Sequence, residues 1–487
     1  MSRESESVSL SNAAAWLGTG MPWDKACRLL AVLTGFTIPL STSFSEITTG
    51  LFMACWLLSG ELAAKWDAIR RNRVALLSLA LFGGLAAGIT WSSESWTASG
   101  RCLLKYRELT YLPMFVVVFR EAALRRLAIW AYMAAAVLLL GLSYFERFSG
   151  ADFGIASTSV DYVIAKDRII HSLMMALLAY LAAVQLVDPL RQSLDGGAFP
   201  GRAWGREHAI LPSPPGRGVG GDGAGYFAFP AATRSSGIEA SIVRIWRWTC
   251  AAIVPLAVYN VLFMVQGRTG YVVLGTLTAL FLYERLSRRG LAIACLVLGI
   301  AGGAALQFST MIRGRVEQTV SQLKNQFGAD RKHSADPRME FYVNTLQLIR
   351  RHPVLGTGTG SFRSEYARLV AGSDDIPTSD PHNEYLHLAS QVGIPGAMLF
   401  LGLLGVQWQA TGRLGGLNRD VGRGVVLTIA LGSLFNSLIL SVTGGLIFAY
   451  FGGLAFAELS FDAAARGSSV GGMTAEDDSP AAKRRAA

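Results

Sequence analysis

Residues 169–187 read IIHSLMMALLAYLAAVQLV, a run of 19 positions without an aspartate, glutamate, lysine or arginine. A helix needs about 20 apolar residues to cross the core of a bilayer. It also satisfies its own backbone polar groups in lipid, whereas an open strand does not. The run therefore predicts a membrane-spanning helix. Comparable runs on both sides of it predict an all-α polytopic membrane protein.

The composition of the whole chain agrees with that fold class. Of the 487 residues, 51% are hydrophobic and 16% are charged, whereas soluble domains carry about 25% charged residues. We predict about twelve spans, which are 26–41, 46–60, 74–91, 102–119, 126–145, 169–187, 248–265, 270–285, 290–307, 393–410, 424–441 and 444–461. An even number of spans puts both termini on one side. The last two spans would form an antiparallel pair joined at residues 441–445.

Basic residues in alternate loops predict the orientation. The loops on one side carry Lys65, Arg70, Arg71, Arg73, Arg120, Arg125, Arg126, Arg285, Arg288, Arg289, Arg413, Arg419 and Arg423. Cytoplasmic loops are enriched in lysine and arginine, so we predict that this side is cytoplasmic. The chain then divides into a cytoplasmic N-terminus (1–25), spans 1–6 (26–187), an insertion (188–247), spans 7–9 (248–307), a periplasmic loop (308–392), spans 10–12 (393–461) and a cytoplasmic tail (462–487).

The insertion at residues 188–247 contains the stretch LPSPPGRGVGGDGAG. Glycine and proline at this density cannot build a core, so we predict a disordered cytoplasmic segment without a catalytic role. Its seven arginines are dispersed among glycines, a pattern that argues against nucleic-acid binding. No cleavable signal pattern stands out in residues 1–21. The five cysteines include no CxxC pair, so we expect packing residues rather than disulfides or a zinc site.

The predicted periplasmic loop, 308–392, is an exception to the charge rule because it carries ten lysines and arginines between residues 308 and 383. Long loops are largely exempt from that rule. Within the loop, apolar residues at helical spacing over 339–351 predict a helix that ends at His352-Pro353. Residues 355–362, LGTGTGSF, form a glycine-rich turn. No Gly-Lys-Ser/Thr follows it, so it is not a phosphate-binding P-loop.

His382 is the leading candidate for chemistry, because it lies where this loop meets the tenth predicted span. A histidine side chain can accept a proton from a hydroxyl near neutral pH. Asp380 could orient the imidazole, and Asn383 and Tyr385 are candidates for supporting it. The alternative is an interfacial histidine that only hydrogen-bonds to loop carbonyls.

Arg268 lies in the stretch Gln266-Gly-Arg-Thr-Gly270, between two apolar runs. An arginine at such a place is costly unless it reaches the interface or pairs with an anion. The flanking glycines let backbones approach closely, and the planar guanidinium donates two parallel hydrogen bonds to phosphate. The alternative is an arginine that snorkels to the interface from a short turn.

Lys166 and Arg168 stand at the mouth of the sixth predicted span, with His171 one turn inside it. They either anchor a helix start or contact an anionic ligand, and His171 is a weaker candidate for the same ligand. Arg338, in the long loop, is a further candidate cation.

The sequence contains no metal-ligand pattern. The six histidines are scattered, and neither an HExxH motif nor a DxD-type pair occurs. Asp374-Asp375 lies among glycine, serine and proline, so a solvated turn is the better interpretation than a cation site. A nucleophile elbow for Ser/His/Asp catalysis is also missing. We therefore predict neither a metal nor a cofactor.

Three stretches resemble the O-antigen ligase family, which also includes some O-antigen polymerases and protein O-oligosaccharyltransferases. They are DPRME at 336–340, IRRHPVLGTGTGSF at 349–362, and HNEYL at 382–386 with GIPG at 393–396. The spacing from His382 to Gly393 is similar to the ligases' histidine-to-glycine motif. Arg268-Thr-Gly270 resembles the family's Arg-Thr-Gly at the head of a span. The motif region covers about 130 of the 487 residues.

One feature departs from the family pattern. Ligases have an arginine followed by three residues and a leucine, whereas four residues separate Arg168 from Leu173 here. Arg168 is still the residue of this sequence that best corresponds to the ligases' arginine.

The resemblance implies a membrane-embedded glycosyltransferase of GT-C-like fold that works without a metal and inverts the anomeric centre. The donor would be O-antigen polysaccharide on undecaprenyl pyrophosphate, and the acceptor the lipid A–core oligosaccharide. His382 would act on the acceptor hydroxyl. Arg268 and Arg168, supplemented by Arg338 and Lys166, would hold the pyrophosphate. The protein would lie in a Gram-negative inner membrane with its site facing the periplasm, in contact with membrane lipids and without a nucleic-acid partner.

Three other functions stay open from the sequence. A polymerase would use another lipid-linked repeat as acceptor, and a protein O-oligosaccharyltransferase would use a protein. A transporter of lipid-linked sugars would need polar residues in mid-membrane and often repeat symmetry, whereas the charges here cluster at the span ends.

Overall fold

The computed structural model describes residues 22–150, 162–195, 237–265, 267–308 and 337–460, with the isolated positions 313, 314, 317 and 321. This part of the chain is mostly helical and contains no strand. In chain order the helices are α1 (Pro22–Leu40), α2 (Thr42–Leu58), α3 (Leu62–Arg70), α4 (Arg73–Ala87), α5 (Trp96–Leu104), α6 (Glu108–Val118), α7 (Ala122–Ser149), α8 (Arg168–Asp195), α9 (Gly237–Tyr259), α10 (Arg268–Arg285), α11 (Arg288–Phe308), α12 (Arg338–Arg351), α13 (Phe362–Leu369), α14 (Glu384–Thr411), α15 (Gly416–Gly432) and α16 (Val442–Phe456).

Five described helices are long and apolar enough to cross a membrane: Arg73–Trp91, Ala122–Ser149, Arg168–Val187, Arg244–Met264 and Glu384–Thr411. The pair α2 and α3 would make a sixth if counted as one span bent by 112°. These helices indicate a multi-pass membrane protein. The count of twelve spans stays a prediction.

The predicted span 102–119 is interrupted in the structure. Helix α5 ends at Leu104 and α6 begins at Glu108. Between them the N–H groups of Lys105 and Tyr106 bond to carbonyls three residues earlier, which tightens the chain into a turn. The turn buries Tyr106 completely. The prediction of one continuous helix was wrong because hydropathy does not register such a turn.

The predicted span 424–441 is also shorter than expected. Helix α15 ends at Gly432, and residues 433–441 form a loop before α16. The loop's backbone groups find side-chain partners elsewhere in the chain. The carboxylate of Glu384 accepts from Ile439 and Leu440, and Asn383 donates to the carbonyl of Leu434. These bonds replace the helical ladder, so the last two helices are not joined by a short turn at residues 441–445.

Helix α14 begins nine residues before the predicted start of span 10 at residue 393. The side chain of Asn383 caps it by accepting from the N–H of Leu386 at 3.0 Å. The predicted boundary coincides instead with a break inside the helix, where Val392 and Gly393 leave helical geometry. The last residues of the predicted loop 308–392 are therefore helical.

The predicted insertion, 188–247, is helical at both of its ends. Helix α8 continues to Asp195, and α9 begins at Gly237. Apolar pattern alone does not show how far a helix extends beyond the lipid. The glycine- and proline-rich residues 196–236 lie outside the described residues, as do residues 1–21 and 461–487, so the predictions for them are not tested.

The core centres on α16, which packs against α6. Every residue of α16 from Thr443 to Phe456 is buried, and a helix that is apolar all round is expected in the interior. Aromatic rings fill this centre: the Tyr450 ring lies 5.3 Å from those of Phe115 and Phe119, edge-on to both.

Contacts between distant residues distinguish the two ends of the bundle. Near the start of α16, Thr443 accepts from Lys166, which precedes α8. Glu384, at the start of α14, accepts from backbone groups just before α16. At the other end of α16, the carbonyl of Phe456 accepts from Asn72 beside the start of α4. The starts of α8, α14 and α16 thus share one end, which we call the His382 end.

Candidate functional site

His382 has an unusual backbone. Its φ is 56°, and Glu61 is the other non-glycine residue of the described chain with a positive φ. Such a conformation is costly and persists where surrounding contacts hold it. Here Oδ1 of Asp380 accepts from the N–H of His382 at 2.8 Å and from the hydroxyl of Ser437 at 2.6 Å. Asp380 therefore fixes the turn that carries the imidazole.

The imidazole of His382 is partly open to solvent, with its side chain 37% exposed. Its Nδ1 lies 3.5 Å from Oδ1 of Asn436 and 3.7 Å from Oδ2 of Asp380. The ring of Phe341 packs at 6.1 Å, centre to centre. The carboxylate predicted to orient the imidazole is thus beside it. Asn436, Ser437 and Phe341 were missed by the sequence reasoning.

The 433–441 loop is tied closely to the chain around His382. The hydroxyl of Tyr342 donates to the carbonyl of Leu434 at 3.0 Å, and it lies 3.3 Å from the carbonyl of His382. Asn383 donates to the same Leu434 carbonyl at 3.0 Å. Tyr385 donates to the carbonyl of Ala430, at the end of α15, at 2.9 Å. Asn383 and Tyr385 thus join two segments beside His382, and their supporting role stays a prediction.

Glu384 is the most completely buried acidic neighbour of His382, with no exposed surface. Its N–H donates to the carbonyl of Ser433 at 2.9 Å. Its Oε2 accepts from the N–H groups of Ile439 at 2.8 Å and Leu440 at 3.3 Å. This one residue therefore binds both ends of the 433–441 loop. No local pattern marks this role of Glu384, because the hydropathy of residues 433–441 predicts part of a span.

Removing this carboxylate should destabilise the protein. In Glu384→Ala the buried N–H of Ile439 and the partly buried N–H of Leu440 lose their acceptor, and an unsatisfied buried group costs about 1–3 kcal/mol. Glu384→Gln keeps an acceptor oxygen and should lose less. Thermal unfolding of the purified protein would measure both. The matched control is Asp374→Asn, since Asp374 is an exposed loop carboxylate. A Glu384→Ala variant as stable as this control would show that the loop does not depend on Glu384.

Arg168 and Arg268 begin two helices that touch at their starts. A Cβ added at Gly267 would lie 3.3 Å from the carbonyl oxygen of Arg168 and 2.9 Å from Oγ of Ser172. Glycines at 267 and 270 therefore let α10 approach α8 closely, as the sequence predicted. Both arginines are exposed. The structure brings these two helix starts together at the His382 end.

Lys166 differs from the two arginines because it is buried, with 6% of its surface exposed. Its Nζ donates to Oγ1 of Thr443 at 3.0 Å. Burial lowers the pKa of Lys166 to about 8, so its charge is lost as the pH rises through that value while an arginine stays charged. It links the start of α8 to α16 from inside the protein.

Two other candidates also have clear positions. His171 is completely buried, and its Nε2 lies 3.1 Å from Oδ1 of Asn260, which is the setting of a core histidine rather than of a ligand contact. Arg338 begins α12, one turn before Phe341 and Tyr342, and is partly buried. The helix that carries Arg338 therefore borders His382.

The glycine-rich turn is a structural element. Gly356, Gly358 and Gly360 have φ of 67°, 93° and 89°, which other residues rarely adopt. The N–H of Gly358 donates to the carbonyl of Gln391 at 2.9 Å, and that of Gly360 to Oε1 of Gln391 at 2.8 Å. These donors are used inside the protein, beside the break in α14. They cannot cradle a phosphate, in agreement with the sequence interpretation.

Among the described residues, no group of three or more histidine, cysteine, aspartate and glutamate side chains could hold a metal ion. The described side chains at the His382 end can instead transfer a proton through His382 and bind an anionic group through arginine and lysine.

A comparison with known protein families finds a match for part of the chain. Residues 251–401 match the model of a family described as O-antigen ligase. A comparison with curated proteins finds none that matches the chain. The matched segment contains Arg268, Arg338, Asp380 and His382, whereas Lys166, Arg168 and the 433–441 loop lie outside it. Over residues 251–401 the chain is thus similar to the O-antigen ligase family, in agreement with the motifs found in the sequence.

Proposed function

We propose that this protein transfers O-antigen polysaccharide from undecaprenyl pyrophosphate to a hydroxyl of the lipid A–core oligosaccharide. The observation that carries the proposal is His382, which lies inside the family segment and is held in a strained turn by Asp380. Strain of this kind concentrates at functional sites. The reaction would take place at the periplasmic face of a Gram-negative inner membrane, with both termini in the cytoplasm.

His382 would act as the general base. Its Nδ1 faces Asp380 and Asn436, which leaves Nε2 to take the proton of the acceptor hydroxyl. The Asp380 carboxylate would stabilise the imidazolium that results. The acceptor oxygen then forms a bond to the anomeric carbon while the bond from that carbon to the pyrophosphate oxygen breaks. Attack from the face opposite the leaving group inverts the anomeric centre.

The leaving pyrophosphate gains negative charge as its bond to the sugar breaks. Arg268 and Arg168 begin adjacent helices at the His382 end. Helix starts carry partial positive charge and attract phosphates, and arginine donates a pair of parallel hydrogen bonds. Donors in place before the reaction stabilise charge as it develops. Arg338 would supplement them from α12, and Lys166 from its buried position.

We propose that the reaction needs no metal ion. Chelation with EDTA should therefore leave the transfer rate of the purified enzyme unchanged, since arginines neutralise the leaving group. The rate would be measured with lipid-linked glycan before and after chelation, using a metal-dependent glycosyltransferase as the positive control. Loss of activity that a divalent cation restores would overturn the metal-free mechanism.

The acceptor distinguishes this proposal from its nearest alternatives. Purified protein would be incubated with lipid-linked polysaccharide and, separately, lipid A–core, a second lipid-linked repeat, or an acceptor protein. We expect transfer to lipid A–core. Transfer only to the repeat would mean a polymerase, and transfer only to protein an oligosaccharyltransferase. Movement of the lipid-linked sugar without any transfer would mean a transporter.

Deletion of the gene offers the same distinction in cells. For a ligase, the lipopolysaccharide ladder disappears and lipid-linked polymer accumulates. If single repeats stay attached and only long chains are lost, the protein is a polymerase.

A further inference from the structure

A cavity of about 190 Å³ lies at the end of the bundle opposite His382. It is enclosed by the start of α1, the end of α2, α3 and the end of α6. Helix α6 begins beside α16 at the His382 end, since a Cβ at Gly445 would lie 3.0 Å from Cγ of Glu108. Its last residues therefore reach the opposite end. We call this space the Lys65 cavity. Six of its lining residues matter here: Asp24, Arg28, Trp56, Glu61, Lys65 and Arg120.

The Lys65 cavity has the surroundings of a membrane–water interface. Helix α3 bends away from α2 by 112°, so it runs across the end of the bundle. Trp23 and Trp66, on α1 and α3, are 46% and 54% exposed, and tryptophan is enriched at the level of lipid headgroups. Leu29, Leu57 and Leu58 are exposed on the neighbouring helix surfaces. A lipid could place its headgroup in the cavity and an acyl chain along these leucines.

Lys65 supplies a buried cation to the cavity, with 8% of its surface exposed. Its Nζ donates to the carbonyl of Trp56 and, at 2.7 Å, to Oγ of Ser59. An ammonium group has three donors, so one N–H remains besides these two hydrogen bonds. The same Nζ lies 4.5 Å from the centre of the Trp56 ring. The indole N–H of Trp56 is buried and has no acceptor in the described part of the chain. The remaining N–H of Lys65 suits a phosphate oxygen.

Arginines extend the cationic side of the cavity. Arg28 uses Nη1 to pair with Glu121 at 2.9 Å, and a guanidinium has further N–H groups to offer. Arg120 is exposed at the rim. A phosphate entering from the lipid side would meet Lys65 within the wall and arginine at the opening.

Carboxylates line the same cavity. Asp24 and Glu61 lie on its lining, and both interact electrostatically with Lys65. Glu61 also has a positive φ of 52° at the start of α3. The lining thus combines three cations with two carboxylates. A purely anionic ligand would be repelled by the carboxylates, whereas a ligand with a phosphate and an ammonium group would satisfy both sets.

We propose that the Lys65 cavity binds the headgroup of a zwitterionic phospholipid with a primary ammonium, of the phosphatidylethanolamine type. The phosphate contacts Lys65 and the arginines, and the ammonium donates to Asp24 and Glu61. A quaternary choline has no N–H to donate, and a glycerol headgroup has no positive charge. The site lies away from His382 and does not depend on the proposed reaction.

Native mass spectrometry of the purified full-length chain would test the site. The protein would be titrated with phosphatidylethanolamine, phosphatidylcholine and phosphatidylglycerol of identical acyl chains. We expect the first to bind roughly tenfold more tightly, the effect of about one hydrogen bond to a charged group. Equal binding of all three lipids would overturn the proposal. Loss of this preference in the presence of inorganic phosphate would show a site for a free anion and would overturn it as well.

Substitutions test whether the lipid preference arises from binding in the Lys65 cavity. Lys65→Met should weaken binding of all three lipids, because each carries the phosphate. Asp24→Asn should remove the preference for the primary ammonium while leaving phosphate binding in place. Arg126→Gln is the control, since Arg126 is exposed at the start of α7 and does not line the cavity. If Lys65→Met does not fold, the lipid preference of Asp24→Asn tests the proposal by itself. A wild-type preference in Asp24→Asn contradicts the proposal.

Discussion

Replacing His382 by alanine is expected to reduce glycan transfer by ~10²–10⁴-fold, the usual contribution of a general base. The variant keeps the helix starts that carry the arginines, so binding of the donor should persist. The loss should therefore appear in kcat rather than in the KM for the lipid-linked donor. Transfer by the purified protein to lipid A–core, followed at several donor concentrations, would measure both.

The strained turn makes a second variant necessary. Alanine tolerates a φ of 56° poorly, so a loss of activity in His382→Ala could come from a rearranged turn. Asparagine adopts this conformation more readily but cannot act as a base. His382→Asn should therefore be as inactive as His382→Ala while unfolding at the wild-type temperature. The control is His352→Ala, because His352 is exposed at the end of α12. Transfer at the wild-type rate by a folded His382→Asn protein would exclude the base.

The fold class was predictable because the apolar runs reflect a single physical constraint. A segment in lipid must be apolar along its length and helical in its backbone, and both properties are visible in one sequence. Helix starts at Arg168 and Arg268 were close to their predicted positions. The helix over residues 339–351 was confirmed within one residue by α12.

The 433–441 loop shows what the sequence could not provide. Its leucines and isoleucine match the hydropathy of a span, and only distant partners make it a loop. Glu384, Asn383 and Tyr342 satisfy its backbone from other segments. These contacts depend on tertiary packing, which a hydropathy window does not contain.

The same limit applies to the site. Asp380 and His382 are two residues apart, so a local turn could be anticipated from the sequence. Asn436 and Ser437 reach them across more than 50 positions, and nothing in their local pattern marked them. Local turns and helix starts could therefore be predicted from the sequence. The residues of the 433–441 loop that support His382 could not.

Arg268→Lys is expected to reduce transfer by roughly 10–100-fold, although it preserves the positive charge. A lysine offers a compact point charge, whereas arginine presents two parallel donors to a phosphate. Losing one hydrogen bond to a charged group accounts for a change of this size. Arg268→Ala removes the charge as well and should cost ~10²–10³-fold, as the removal of other preorganised donors does. Steady-state transfer assays would rank the two variants.

The graded series separates pyrophosphate recognition from a structural role. Arg268 is the first residue of α10, and Gly267 and Gly270 set the packing of that helix against α8. If Arg268 only stabilised this contact, both variants would unfold at lower temperature and lose activity together. If it binds the leaving group, both should unfold like wild type while activity falls from arginine to lysine to alanine. Arg350→Lys is the control, because Arg350 is exposed at the end of α12. Wild-type turnover by Arg268→Lys would show that the paired donors of Arg268 are not used in the reaction.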